Sequence, residues 1–211
     1  MDQSYTLGER IADAIIHLIG IAAGLIAVVA MLVMAGRYLP ASSTVTLCIY
    51  ATGLVAMLTF SCAYHMVAAP RWKGLLRRLD HAAIFLKIAG TYTPFAAIKM
   101  GGIGGYTLLS AVWVVAILGA GAKLLLASTW DRLAVPLYLL FGWLGVVMFE
   151  PLSASVAPVV LALLGIGGVL YSIGVIFHVW RMLPYQNAIW HLFVLTGTGC
   201  HFGAVACAIF A

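Results

Sequence analysis

Charged side chains are scarce in this sequence. Asp, Glu, Lys and Arg together make up 8% of 211 residues, and only 6 are acidic. Soluble domains carry roughly a quarter charged residues, so this composition excludes a water-exposed globule. No basic run with interleaved aromatics is present, which excludes an ordinary nucleic-acid-binding surface. There is no alternating pattern of the kind a membrane β-barrel or β-pore needs, and no amphipathic helix separate from the apolar runs. No CxxC pair occurs: Cys48, Cys62, Cys200 and Cys207 lie singly in apolar stretches and read as buried, reduced thiols. Internal repeats, low-complexity tracts and a second domain are also missing, so residues 1–211 read as a single unit.

What the chain does have is apolar length. It is 64% hydrophobic, with a mean hydropathy of +1.12. A membrane-spanning helix takes about 20 mostly apolar residues. On that measure the sequence divides into seven spans, at about 11–35, 43–68, 80–99, 103–126, 133–150, 156–180 and 188–210. The breaks carry ordinary punctuation: Gly36 to Pro40, Pro70 to Arg78, Gly101 with Gly102, Ser128 to Arg132, Pro151 to Ser155, and Arg181 to Pro184. The first run is too long for a signal-peptide core and no small-residue cleavage site follows it, so it reads as a retained helix. The expected fold is an all-α integral membrane protein, a seven-transmembrane helix bundle.

Basic residues give the bundle a direction. Arg10, Arg71, Lys73, Arg77, Arg78, Lys123, Arg132 and Arg181 fall on one side, against Arg37 and Lys99 on the other; Lys87 lies inside the third span. The bias places the N-terminus in the cytoplasm and the C-terminus outside.

Depth then sorts the polar residues. His17, His65, Asp80, His178, Asn187 and His191 come from five separate spans, yet all fall near the cytoplasmic face. The outer side offers only Glu150 as an acidic candidate. Ionisable groups within a bilayer are costly and mark functional sites. Two neutral imidazoles with a carboxylate make a common donor set for zinc, which in catalytic sites keeps one position for water. Ser61 lies one turn before His65 on the same helix face, in reach of a ligand or of bound water. His201 sits about 15 Å deeper than His191 and reads as a packing residue. His81 points away from Asp80.

The same residues carry a family resemblance. The segments ERIADAIIHLIG (Glu9 to Gly20), SCAYH (Ser61 to His65), LDHAAIFLKIAGTYTPF (Leu79 to Phe95) and AIWHLFVLTGTGCHF (Ala188 to Phe202) occur in this order across nearly the whole chain. The sequence resembles bacterial haemolysin III-type proteins of the progestin and adipoQ receptor family. The resemblance implies a zinc site at the cytoplasmic side. Its ligands would be the His of an S-x-x-x-H motif, here His65, and two His of an H-x-x-x-H motif, here position 187 and His191, with Asp80 beside the bound water.

Two residues depart from that pattern. Asn187 stands where the family has His, and an amide oxygen is a poor zinc ligand. Asp13 stands where bacterial relatives usually have Asn. Three outcomes are open: Asp80 completes a His65–Asp80–His191 set, Asn187 ligates weakly or holds the water, or the site is structural without metal.

The expected activity is zinc-dependent hydrolysis of a lipid amide or ester, with Asp80 as base, Ser61 assisting, and His17, Lys87 and His178 lining the cavity or contacting lipid. The alternatives are a non-catalytic membrane sensor or homeostasis protein with a degraded metal site, and a cytolytic protein. The expected partner is a membrane lipid. The resemblance places the chain in a bacterial inner membrane.

Overall fold

The computed structural model of the protein describes residues 6–126 and 131–211. Residues 128–130 of the fourth-to-fifth break therefore lie outside the described residues. Among the described residues there is no strand. The helices are α1 (Leu7–Tyr38), α2 (Ala41–Met66), α3 (Pro70–Pro94), α4 (Gly102–Leu125), α5 (Asp131–Gly142), α6 (Phe149–Ser153), α7 (Pro158–Val179) and α8 (Gln186–Phe210). Five of them, α1, α2, α4, α7 and α8, are long and apolar enough to cross a membrane. The integral-membrane reading stands on these five; the third and fifth predicted spans differ from a plain helix, each for a physical reason.

The third run starts ten residues earlier than predicted. Pro70 occupies the first turn of α3, where its missing N–H costs nothing. The basic stretch Arg71 to Arg78 is thus helical rather than loop. At the other end Pro94 sits inside the helix. A proline there removes a backbone donor and crowds the preceding turn. The chain continues as a wider π-helical turn, Phe95–Met100, and ends at Gly101 and Gly102, whose φ values of 57° and 56° suit glycine.

The fifth run breaks into α5, a 3-10 stretch (Trp143–Met148) and the short α6. Pro136 lies within α5, and a side chain enters the backbone ladder beyond it. The Tyr92 hydroxyl of α3 accepts from the Gly145 amide at 2.6 Å and donates to the Gly142 carbonyl at 2.8 Å. Insertion of this kind is a recognised cause of helix breaks. Tyr92→Phe keeps the ring and strands the Gly145 N–H. It is expected to cost about 1–3 kcal/mol, the usual range for an unsatisfied buried donor, measured as a lower thermal midpoint in detergent.

The helices close a ring. α1 packs on α2, α2 on α3, α3 on α5, α5 on α7, α7 on α8, and α8 returns to α1, while α4 packs outside against α3. The polarity is inside-out, as a bilayer requires. On α1 the inward stripe is Asp13, His17, Gly20, Val28, Met31 and Ala35, at helical spacing. Its outward face presents Ile11, Ile15, Leu18, Ile26 and Val29. One core cluster centres on Leu47, Tyr50, Leu54 and Val205, another on Phe85, Val112, Ala116 and Phe141.

Small residues allow the close approach. A Cβ on Gly119 would meet the Phe85 ring, and one on Gly168 the Trp143 ring, whereas Gly121 and Gly165 face open space. The cysteines correct the expectation of buried thiols: Cys48 is exposed on the outer, apolar surface, and Cys62, Cys200 and Cys207 are partly buried.

Candidate metal centre

The ring encloses a cavity of about 1280 Å³. Its polar end is built by α1, α2 and α8. Asp13 and His17 stand one turn apart on the inner stripe of α1. His65 lies in the last turn of α2 and His191 in the second turn of α8. The Asp13 carboxylate is the hub. His191 Nδ1 lies 2.6 Å from Asp13 Oδ1, His65 Nδ1 3.4 Å from Oδ2, and His17 Nε2 3.7 Å from Oδ2. The three rings surround it, with centroids 4.4 Å apart for His17–His191 and for His65–His191, and 5.2 Å apart for His17–His65. Asp13, His17 and His191 are buried and His65 is partly so.

Local chemistry at the helix ends fixes this arrangement. Thr6 and Glu9 form a reciprocal capping box at the start of α1. Glu9 does a second job: its Oε1 accepts from the Tyr185 amide at 2.9 Å. Tyr185 immediately precedes α8 and holds a left-handed φ of 59°. One carboxylate thus ties the N-termini of α1 and α8 together, one turn before Asp13 on α1 and nearly two turns before His191 on α8. At the end of α2, the Lys73 ammonium donates to the Tyr64 carbonyl, beside His65. Glu9→Ala is expected to weaken metal binding about 10-fold, the lower range for loss of a supporting contact, without changing the number of ions per chain. Titration with a competing chelator measures it.

The four donors fit a divalent transition ion. Imidazoles and a carboxylate suit zinc and its neighbours. One ligand atom from each of Asp13, His17, His65 and His191 falls within a sphere of mutual distances no greater than 4.8 Å. His17 Nε2 is buried with no hydrogen-bond partner. An unpartnered ring nitrogen in an apolar bundle is costly, and a cation among these donors would supply the missing partner.

The other sequence-predicted residues take different places. Asp80, on α3, is buried beside Ser61 and His65, but it is not among the four clustered donors. Asn187, one turn before His191, is half-buried and lines the cavity. His178 also lines it, with its ring 4.9 Å from that of Trp190. Lys87 lies two turns along α3 from Asp80 and donates to the Tyr171 hydroxyl at 2.7 Å. His201 Nε2 meets the Leu164 carbonyl at 3.3 Å, in keeping with a packing role.

Sequence reading missed Asp13 as a member of the cluster. The signal was present: Asp13 and His17 are spaced i, i+4 within an apolar run, like Asn187 and His191.

The family described as "Haemolysin-III related" matches residues 6–202. The chain is 37% identical over 201 residues to a Hemolysin-3 homolog from Bacillus subtilis (strain 168), covering 95% of this chain and 94% of that protein. It is 38% identical over 197 residues to Hemolysin-3 from Bacillus cereus, covering 93% and 90%. The human Monocyte to macrophage differentiation factor is 27% identical over 170 residues, covering 76% of this chain and 69% of that one. No solved structure matches the chain.

Proposed function

The chain belongs to the haemolysin-III-related family of membrane proteins, and from that premise we propose that its cavity is a metal-dependent site for hydrolysis of a lipid amide or ester. The single observation that carries the reading is the cluster of Asp13 with three imidazoles at the polar end of a large, mostly apolar cavity. Asp13, His17, His65 and His191 would hold the ion. Zinc or a similar divalent ion supplies Lewis acidity and lowers the pKa of water when bound.

The chain's own residues supply the rest. Asp80, buried against Ser61 and His65, accepts the proton from the attacking water, and Ser61 orients its carboxylate. The apolar walls hold the acyl chain and exclude bulk water. The Lys and Arg bias supports a cytoplasmic N-terminus, which puts this chemistry at the cytoplasmic end of the bundle. A bacterial inner-membrane location is in keeping with the two Bacillus relatives.

The test is release of fatty acid from a panel of N-acyl and O-acyl lipids by the purified chain in nanodiscs. Asp80→Asn is expected to lower kcat by about 100-fold or more, the usual contribution of a general base, with metal content unchanged. His65→Ala is expected to lose both metal and turnover. Product formation at the native rate in His65→Ala would refute the hydrolase reading. A non-catalytic sensor is the second reading. It is favoured by Asn187, an amide on the cavity wall where the family pattern has an imidazole, and ligand binding without any product would support it.

A further inference from the structure

The cavity has a second polar pole, away from the metal cluster. Lys87 is 3% exposed and lines the cavity from α3. It lies seven residues beyond Asp80, about 10 Å along the helix axis. On α8, Thr198 lies seven residues beyond His191, again about 10 Å. Tyr171 of α7 joins the two: Lys87 Nζ to Tyr171 Oη is 2.7 Å, and Tyr171 Oη to Thr198 Oγ1 is 2.6 Å. Two independent helices therefore give the same separation between the poles.

The hydrogen-bond chain has a direction. Thr198 donates its proton to the Val194 carbonyl at 2.7 Å. Tyr171 must then donate to Thr198, which leaves the Tyr171 oxygen as acceptor for Lys87. The hydroxyl protons are all committed, and the chain ends on a neutral carbonyl. An ammonium has three N–H donors and only one is used here. The Tyr171 ring, with its centroid 4.6 Å from Nζ, adds a cation–π contact. None of these partners carries negative charge. Among the described residues no carboxylate lies within ion-pair distance of Lys87; the Asp13 carboxylate faces His17, His65 and His191 instead. A buried, uncompensated cation is expensive, and opposite charge close by relieves it.

We propose that Lys87, held by Tyr171 and Thr198, is an anion-binding site for the acid group of a long-chain carboxylate whose chain lies along the apolar cavity wall. One cation neutralises one carboxylate, leaving a neutral pair in a low-dielectric setting. A phosphate monoester carries about two negative charges at neutral pH and is served by several donors or by Arg forks; a single lysine on an apolar wall does not match it. The cavity exceeds the usual 300–1,000 Å³ range of small-molecule sites, which leaves room for an acyl chain. This proposal rests on the reading of the cavity as a lipid site but not on its metal or on turnover.

The experiment is equilibrium binding of three probes of equal chain length, a C16 carboxylate, its primary alcohol and its monophosphate, to the full chain in nanodiscs. The native chain is expected to bind the carboxylate at least 10-fold tighter than the alcohol. Lys87→Met is expected to abolish that preference while alcohol binding stays within 2-fold; Lys87→Arg, which keeps the charge, is expected to restore it. In His65→Ala the preference is expected to survive. That arm separates the two proposals: loss of turnover with the preference intact leaves this site standing. The proposal is overturned if the preference disappears in His65→Ala and persists in Lys87→Met, which would place the acid at the metal. It is also overturned if the monophosphate binds tighter than the carboxylate, or if no probe binds. Should Lys87→Met fail to fold, Tyr171→Phe and Lys87→Arg carry the test: a preference unchanged in Tyr171→Phe and lost in Lys87→Arg would contradict the assigned geometry.

Discussion

Asp13→Ala is expected to lower metal affinity by more than 100-fold, beyond the 10–100-fold typical of supporting residues. The expectation follows from position. The Asp13 carboxylate lies 2.6, 3.4 and 3.7 Å from nitrogens of His191, His65 and His17. It is the only anionic member of the cluster. Removing it leaves three neutral imidazoles and no carboxylate among the clustered donors to offset a divalent ion. Asp13→Asn sharpens the test because it keeps shape and one carbonyl acceptor. If Asp13 only orients His191 through the 2.6 Å contact, the amide preserves part of that role and affinity falls modestly. If Asp13 is a ligand, Asn falls as far as Ala. Chelator-competition titrations of the three purified chains separate the cases.

The same contact reinterprets the departures from the family pattern. The resemblance implies His at 187 and Asn at 13, and this chain has Asn187 and Asp13. Against what the resemblance implies, α8 carries one imidazole fewer and α1 one carboxylate more, and that carboxylate lies against His191. The pair reads as an exchange of donors within one site. Asn187→His in the Asp13→Asn background is therefore expected to recover most of the lost affinity, which a neutral or additive loss would contradict.

The second large effect is expected at Gly53, where α2 meets α3. A Cβ there would lie 2.9 Å from the Leu86 carbonyl oxygen and 3.2 Å from the Lys87 Cα. Both are backbone atoms, which cannot rotate aside as a side-chain tip does. The two helices are held this close by Gly53 from one side and by Gly90 against Tyr50 from the other. Gly53→Leu must push α3 outward and with it Lys87 and Asp80. Overpacking of this kind costs about 1–3 kcal/mol or more, which lowers the thermal midpoint of a chain this size by roughly 2–12 °C. Gly36 is the control. Nothing lies within 4 Å of its Cβ position, so Gly36→Ala is expected to leave the midpoint unchanged or raise it slightly.

Much of this was legible in the sequence because a bilayer makes depth readable. Apolar run length marks α1, α2, α4, α7 and α8, and counting from the run ends puts His17, His65, Asp80, His178, Asn187 and His191 in one layer; the structure brings His17, His65 and His191 together. Depth does not fix helix rotation or lateral order. Asp13 and Asp80 are both acids near the same face, and which one reaches the imidazoles depends on α1 packing between α2 and α8. The capping contact from Glu9 to Tyr185, 176 residues apart in sequence, is a tertiary fact of the same kind. The irregular fifth run follows from a hydroxyl on α3 entering its backbone, which no local pattern in residues 133–150 records. The basic start of α3 reads as loop in the sequence because charge, rather than helix propensity, marks the edge of the apolar run, yet it is helical.

The most direct test of the metal centre is X-ray absorption at the metal edge of the purified, detergent-extracted chain supplied with zinc. The Asp13–His17–His65–His191 cluster predicts about one ion per chain, with imidazole scattering from three histidines and an added light-atom ligand, and loss of the carboxylate contribution in Asp13→Ala. A chain that takes up no metal, or an ion surrounded by oxygen alone without imidazole scattering, would contradict it.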